Sequence, residues 1–426
     1  MCMGHVLNKY LITTQNIKKD LIIYNTITCS TFLVRQNQVS IFNDVCRQII
    51  NCGSYNGSTQ NLNILLNNKI IYENVDLFKD DINRRYEETF NNKRVLSITL
   101  LPTEQCNFRC IYCYESFSHG KMKKRTIEQI CNLIKTLLPH YQILEINWFG
   151  GEPLLALDVI EKLMTEISFI CRQLRKPYYS CMTTNGYLLS VDVLKKLLTW
   201  HVVLFQITLD GSKEIHNKQR PLKDGRETYD VICNNLLKIK ENIKTSTVKF
   251  IIRVNVSDDM KASDINYMDS LLCDDSRFAL NVQRIFKGGD YRETSYDNYL
   301  GVLQSLKNNR IESITADHTV CYAAKNNSIT IRANGDICKC TVNFKDPNNY
   351  YRNINDLDIA SFSIDSFQYC NSHHEKNVCE ECSIYLLCYG KGCPARKKQL
   401  CGEQYKKYKL LIESLEEKAK LITLEE

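Results

Sequence analysis

The stretch Cys106-Asn-Phe-Arg-Cys110-Ile-Tyr-Cys113 constrains this 426-residue chain more than any other. Three thiols at C-x3-C-x2-C spacing can bind three corners of a four-iron, four-sulfur cube and leave the fourth iron without a protein ligand. Clusters that only transfer electrons are usually closed by four thiolates, so an open iron implies a small molecule that completes the site. Structural zinc is the competing reading, but it asks for four ligands, commonly in paired C-x2-4-C knuckles. The triplet follows a strand-like run, Leu96–Leu101, which sets it at a strand end.

The other bulk features narrow the class. The chain has 21 cysteines. In a small secreted chain they would suggest a disulfide framework; in a long chain with clustered C-x2-C spacing they point to metal or iron–sulfur ligation. The content of 44% hydrophobic and 24% charged residues fits a soluble globular protein of two or three domains. No apolar run approaches the ~20 residues of a membrane helix. Met1–Tyr10 lacks the apolar core of a signal peptide, so a cytoplasmic location is expected and no membrane partner is. The net charge is +7, with Lys and Arg interspersed among Asp and Glu, which argues against a nucleic-acid partner.

Along the chain, residues 1–95 give strands and then helices. Tyr10–Thr14, Leu21–Tyr24 and Thr31–Arg35 have strand composition. Ile41, Val45 and Ile49 recur every fourth residue, as on a helix. Further helices are predicted over Leu62–Asn68 and Asp81–Phe90. Residues 96–290 alternate strand and helix six times, which predicts a parallel sheet wrapped into a partial barrel. Polar signatures fall at the C-terminal ends of its strands, where such folds place their sites. These are the cysteine triplet, Gly150-Gly151-Glu152-Pro153, Thr183-Thr184-Asn185-Gly186, and Asp210-Gly211 followed by His216 and Arg220. Strand five adds Arg253 and Asn255, and strand six Gln283. Asp210 and Arg220 have a structural alternative, a pair that holds its loop. A linker helix is expected over 291–314.

The last part, 315–405, is cysteine-rich. Cys321 precedes a hairpin turning at Asn334-Gly335, whose second strand delivers Cys338 and Cys340. Cys379, Cys382, Cys388, Cys393 and Cys401 follow. Zinc-ribbon ligation remains the alternative for these paired cysteines. The ten remaining cysteines are scattered and are expected to act as small apolar residues. A charged helix is predicted over 406–426.

The triplet with Tyr112 and Tyr114-Glu115, followed in order by Gly150–Pro153 and Thr184-Asn185-Gly186, resembles the radical SAM enzymes. In that family S-adenosylmethionine (SAM) chelates the open iron through its amino and carboxylate groups. The form C-x13-G-x4-C, then C-x2-C-x5-C, resembles the SPASM domain, which holds two auxiliary four-iron clusters. The resemblance implies an α/β fold: a partial (β/α)6 TIM-like barrel, an N-terminal winged-helix-like module and a C-terminal SPASM domain. It also implies a [4Fe-4S] cluster on Cys106, Cys110 and Cys113, and SAM contacts from Tyr112, Gly150, Gly151, Glu152, Pro153, Thr184, Asn185, Arg253 and Asn255. Asp210 and Arg220 are the candidate catalytic pair. By motif order Cys321, Cys340 and Cys393 would serve one auxiliary cluster, and Cys379, Cys382, Cys388 and Cys401 the other. Either Cys338 completes the first, or that cluster is open to a substrate thiolate. Cys388 and Cys393 have four residues between them, where the usual SPASM spacing has three.

Pro102–Cys110 and Trp148–Pro153 are especially similar to peptide maturases. The implied function is radical modification of a ribosomally made precursor peptide, above all Cys thioether crosslinking. The front module would grip the leader, for instance as a strand added to an open sheet edge. A flavodoxin or ferredoxin-type protein would donate electrons. Formylglycine formation, carbon–carbon crosslinking and epimerisation are the enzymatic alternatives. A non-catalytic iron–sulfur or zinc regulator is the alternative outside enzymes.

Overall fold

The structure is a computed structural model and describes residues 4–272, 274–285, 295–305, 320–369, 379–389, 401–413 and 415–425. The chain divides into two compact units that interleave along the sequence. One comprises Met1–Asn91, Ser313–Cys321 and Cys370–Glu426; the other comprises Asn92–Glu312 and Tyr322–Tyr369. The stretch 315–405, expected as one domain, is thus shared between them.

The first unit opens with β1 (Val6–Leu7), β2 (Leu11–Gln15), β3 (Leu21–Asn25) and β4 (Ser30–Val34), then α1 (Val39–Cys52), α2 (Thr59–Asn67), β5 (Ile71–Tyr72) and α3 (Val75–Phe90). β2, β3 and β4 form an antiparallel meander, and β1 pairs with β5. The helices start where the sequence supplies caps. Ser58 accepts from the Asn61 N–H, and Asn74 from the N–H groups of Asp76 and Leu77, satisfying donors that a helix start leaves open. Ile23, Phe32, Val34, Phe42, Val45, Ile49 and Leu65 make its core.

The second unit carries β6 (Val95–Leu100), α4 (Lys124–Leu137), β7 (Ile143–Trp148), α5 (Leu157–Leu174), β8 (Tyr178–Thr184), α6 (Val191–Thr199) and β9 (Val202–Thr208). These are followed by α7 (Lys213–Gln219), α8 (Tyr229–Asn242), β10 (Lys249–Val256), α9 (Ala262–Leu272), β11 (Phe278–Arg284) and α10 (Tyr296–Ser305). Strands β6 to β11 pair in parallel in sequence order, giving the six expected βα repeats. Of the expected linker helix, Tyr296–Ser305 is helical and 306–314 lie outside the described residues.

Alternation along each strand sends one set of side chains to the helices and the other to the opposite face. Leu96, Ile98, Leu100, Leu144, Ile146 and Trp148 are buried in the helix-side core. Ser97, Glu145, Asn147 and Tyr179 occupy the other face as a hydrogen-bonded group. Ser97 donates to Glu145 at 2.5 Å, Tyr179 to Glu145 at 2.9 Å and Asn147 to Ser97 at 3.1 Å. The sheet therefore has an apolar side that holds it together and a polar side available to chemistry.

The hairpin of β12 (Ser328–Ile331) and β13 (Asp336–Cys338), with β14 (Tyr350–Asn353), extends this sheet to nine strands. β12 pairs in parallel with β6, from Ser328 opposite Ser97 to Ile331 opposite Leu100. The hairpin was legible in the sequence. Its partner was not, because edge pairing is decided between segments far apart in the chain.

The last elements return to the first unit. α11 (Cys401–Glu413) packs on β2 and β3. The helix predicted over 406–426 ends at Glu413, and Lys420–Ile422 forms β15, parallel to β4. Leu421, Thr423 and Glu425 are exposed while Ile422 and Leu424 are buried, a period of two that suits a strand. The outer edge of β4 is thereby covered. Of the scattered cysteines, Cys131 and Cys171 are buried as expected, whereas Cys52 is exposed; Cys2, Cys273 and Cys370 lie outside the described residues. Among the described residues no helix is long and apolar enough to cross a membrane.

Phe205, Phe250 and Phe278 stand opposite one another on three adjacent strands, fully buried, with centroids 5.5 and 4.8 Å apart. Emptying the middle of this stack with Phe250→Ala is expected to cost about 3–5 kcal/mol. Guanidinium unfolding checks this; an unchanged midpoint would remove the stack from the list of features that hold the sheet.

Candidate active site

The cysteine triplet lies in the loop that leaves β6. The loop is held on three sides by backbone contacts. Arg109 N–H donates to the Pro221 carbonyl and Ile111 N–H to that of Gln219, each at 2.9 Å, and Lys223 N–H donates to Asn107 at 2.8 Å. Met122 N–H returns to the Pro102 carbonyl at 2.8 Å. On the third side lie Gly150 and Gly151. A Cβ on Gly150 would stand 2.3 Å from the Thr103 carbonyl oxygen, and one on Gly151 2.4 Å from that of Gln105. Gly150 also has φ +114°, a conformation that side-chain-bearing residues rarely adopt. The two glycines are thus required first by the backbone of the cysteine loop.

Glu152 is fully buried and its carboxylate is already committed. One oxygen accepts from Leu154 N–H at 3.0 Å and from the Thr184 hydroxyl at 2.7 Å; the other accepts from Asn185 N–H at 2.7 Å. Burial raises its pKa against the pull of these donors. It ties the end of β7 to the end of β8 and so positions Asn185. The Asn185 amide reaches Asn107 at 2.8 Å and lies 3.9 Å from the Cys106 sulfur, which also accepts from Phe108 N–H at 3.3 Å.

Tyr112, Asp210, Arg220 and Asn255 meet at one atom, the Tyr112 hydroxyl. It donates to Asp210, and accepts from Arg220 at 2.7 Å and from Asn255 at 3.1 Å. Asp210 accepts in addition from Asn255 N–H at 2.8 Å. Asp210 and Arg220 are joined through the Tyr112 hydroxyl. Burial raises the Asp210 carboxyl, with the Arg220 charge and the hydrogen bonds opposing it. His216 is buried; its Nδ1 accepts from Asp210 N–H at 3.1 Å and its Nε2 meets the Thr228 hydroxyl at 3.1 Å. Desolvation holds it well below the usual histidine range, so it is a neutral structural ring. Arg253 bonds Asn255 at 2.9 Å on the same strand.

Burial pushes the Cys106 thiol up to about 12 and Cys113 to about 11, and raises Cys110 with Arg220 opposing. Metal ligation deprotonates such thiols outright. Among the described residues no three Cys, His, Asp or Glu side chains converge on a single ion. A four-iron cube does not ask for that, since each thiolate takes a different iron. Both Glu115 oxygens and Arg220 Nε are buried without a hydrogen-bond partner among the described residues. Polar atoms near the thiols in sequence and space are thus left for a bound molecule to satisfy, and the donor set fits an iron–sulfur cluster with a polar ligand.

Two residues that the sequence reading missed brace this loop. Glu104, fully buried, accepts two hydrogen bonds from Arg332 of the β12–β13 hairpin at 3.0 and 2.9 Å. No local signal links residues 228 positions apart.

The other cysteines fall in both units. Cys338 and Cys340 are buried in the second, Cys338 being pushed up to about 12 by burial. Cys321, Cys379, Cys382 and Cys388 belong to the first, where Cys382 N–H closes a turn on the Cys379 carbonyl at 3.0 Å. Cys393 and the Cys401 side chain lie outside the described residues.

A parallel βα sheet whose first strand leads into a clamped three-cysteine loop defines a class. Residues 100–262 match the family model described as the radical SAM superfamily. This part of the chain is a radical SAM domain, and enzymes with that domain use a [4Fe-4S] cluster and SAM. The chain is 23% identical over 395 residues to the radical SAM cyclopropyl synthase TigE of Paramaledivibacter caminithermalis, covering 82% of this chain and 79% of that one. It is 24% identical to the serine-type anaerobic sulfatase-maturating enzyme of Klebsiella aerogenes, covering 71% and 81%. The solved structure of anSMEcpe with bound AdoMet and Kp18Cys peptide shares the fold, with a TM-score of 0.59 and 20% identity over 76% of this chain and 99% of that one.

Two substitutions test the clamp. Arg332→Ala strands a buried carboxylate and is expected to cost about 3–5 kcal/mol, whereas Glu104→Leu with Arg332→Met recovers most of that loss in denaturant titrations. Gly151→Ala should overpack the loop by about 1–3 kcal/mol and lower bound iron, read from absorbance, with the circular dichroism spectrum intact. Full iron loading in this variant would show that the close approach does not matter.

Proposed function

We propose that the protein is a peptide maturase that uses radical chemistry to oxidise a ribosomally made precursor, forming Cys thioether crosslinks. The observation that carries the peptide or protein substrate is the likeness to the sulfatase-maturating enzyme of Klebsiella aerogenes, which covers 71% of the chain and so reaches well beyond residues 100–262; the thioether itself rests on the motif resemblance in the sequence. The Kp18Cys peptide bound to anSMEcpe supports a peptide as the substrate class.

Cys106, Cys110 and Cys113 would hold the cluster, and Gly150–Pro153, Thr184 and Asn185 would border the SAM methionine. Bound together, cluster and SAM supply a carbon-centred radical that removes a hydrogen atom from the substrate. The chain's own part is to place and shield. The 219–223 segment and the two glycines fix the cysteine loop, and Glu152 sets the Asn185 amide beside Cys106. Arg220 keeps a buried positive charge beside the thiols, which favours their ionised form. The Tyr112 hydroxyl ties Asp210, Arg220 and Asn255 into one rigid group, so in this reading they position rather than react. Cys321, Cys338, Cys340, Cys379, Cys382, Cys388, Cys393 and Cys401 would ligate auxiliary clusters that accept the second electron or bind the attacking thiolate. A small flavoprotein or ferredoxin would be the donor.

Carbon–carbon bond formation is the second reading, favoured by the activity that TigE's name states. One experiment separates the two. The protein is co-expressed anaerobically with the short reading frame nearest its gene, and the peptide is weighed with and without thiol alkylation. Loss of two hydrogens per crosslink with cysteines protected is the expected result. The same loss with free cysteines supports the carbon–carbon reading, and an unchanged mass in the presence of SAM cleavage rejects both for that peptide. The Cys106→Ala, Cys110→Ala, Cys113→Ala triple variant should form no 5′-deoxyadenosine.

A further inference from the structure

We propose that residues 420–425 are a resident peptide ligand of a groove on the first unit, and that a precursor's leader docks in this groove by displacing them. The inference rests on the peptide-maturase reading above and names the device that regulates access.

The groove is bounded by the outer edge of β4 and by α1 and α2. β15 pairs with β4 over three positions, Lys420 opposite Phe32, Leu421 opposite Leu33 and Ile422 opposite Val34. Beyond Ile422 the strand ladder stops, yet the segment stays extended and is gripped by side chains. Gln38 Nε2 donates to the Leu424 carbonyl at 2.7 Å. Asn61 Nδ2 donates to the Glu425 carbonyl and Asn61 Oδ1 accepts from Glu425 N–H, both at 2.8 Å. Ile422 and Leu424 enter the core formed by Phe32, Val34, Phe42 and Leu65.

This is recognition of an extended peptide: backbone bonds to a sheet edge and two apolar anchors at alternate positions. Asn61 makes the point sharpest. Asn61 is 1% exposed, and the hydrogen bonds described for its side-chain amide both go to the backbone of one residue, Glu425. A buried amide is costly without partners, so whatever replaces the segment must offer a peptide N–H and carbonyl in the same place. The side chains of Leu421 and Thr423 are exposed and free to differ in another occupant, whereas the Glu425 carboxylate accepts from the Ser58 hydroxyl at 3.2 Å.

The segment is tethered to α11 by the short link that holds Glu416–Lys418. Tethering gives it a local concentration on the order of millimolar, so an untethered peptide binds only to the fraction of molecules whose groove is open. A leader with apolar residues two apart would have to match both anchors and the Asn61 grip to enter.

The test uses the full chain with a site-specific protease sequence inserted after Lys418, and as probe a dye-labelled synthetic peptide copying residues 419–425. Cleavage after folding severs the tether but leaves the fold as formed. The cleaved protein should then bind the probe about tenfold or more tightly than the uncleaved one, and a probe carrying Ile422→Asp and Leu424→Asp should not bind. Equal binding before and after cleavage overturns the proposal, as does loss of cooperative unfolding once the segment is severed. A full-chain Ile422→Asp, Leu424→Asp variant gives an independent reading: it should take up the wild-type probe while SAM cleavage stays unchanged. A synthetic leader of the neighbouring precursor should displace the probe, and failure to do so removes the leader from the proposal. A protein that exchanges the probe but modifies no precursor would keep the groove and lose the maturase reading. A precursor modified equally by cleaved and uncleaved protein, with no probe exchange, would do the reverse.

Discussion

The site is built on a backbone-to-backbone approach. Gly150 and Gly151 lie so close to the carbonyls of Thr103 and Gln105 that neither position has room for a Cβ. That contact sets the distance between the loop leaving β6 and the loop leaving β7. The Cys106 sulfur, the Asn185 amide and the Glu152 carboxylate are all placed relative to it. Overpacking here would be transmitted to the thiols, because close-packed interiors relax little.

Around this contact the polar residues mostly support one another. Glu152 spends its oxygens on Leu154, Thr184 and Asn185. The Tyr112 hydroxyl gathers Asp210, Arg220 and Asn255. Arg332 neutralises Glu104 from a hairpin more than two hundred residues away in sequence. Buried networks of this sort are worth having only when every member is satisfied. Among the described residues the Glu115 oxygens and Arg220 Nε are buried without a hydrogen-bond partner, which is informative about where a polar ligand is expected.

The first unit shows the same economy at its sheet edge. An exposed strand edge invites pairing with other chains. Here β4 is covered by Lys420–Ile422, and the Asn61 amide is satisfied by the residues that follow. An edge closed in this way is kept from pairing with other chains.

The sequence by itself determined the six βα repeats, the strand-end placement of the cysteine triplet and the hairpin at Asn334-Gly335. These follow from periodicity, from glycine and from cysteine spacing, which are local properties. It also located Asp210, Arg220, Tyr112 and Asn255 without saying that one hydroxyl joins them. Only the tertiary structure decided that Gly150 and Gly151 serve the cysteine loop and that Arg332 pairs with Glu104. It alone decided that residues 420–422 leave the helical pattern for a strand. Lys420, Leu421 and Ile422 lie within a longer charged, leucine-rich run, which satisfies a helical reading as readily as an extended one. The choice was made by an edge of unpaired N–H and carbonyl groups on β4, a partner no local window of sequence contains.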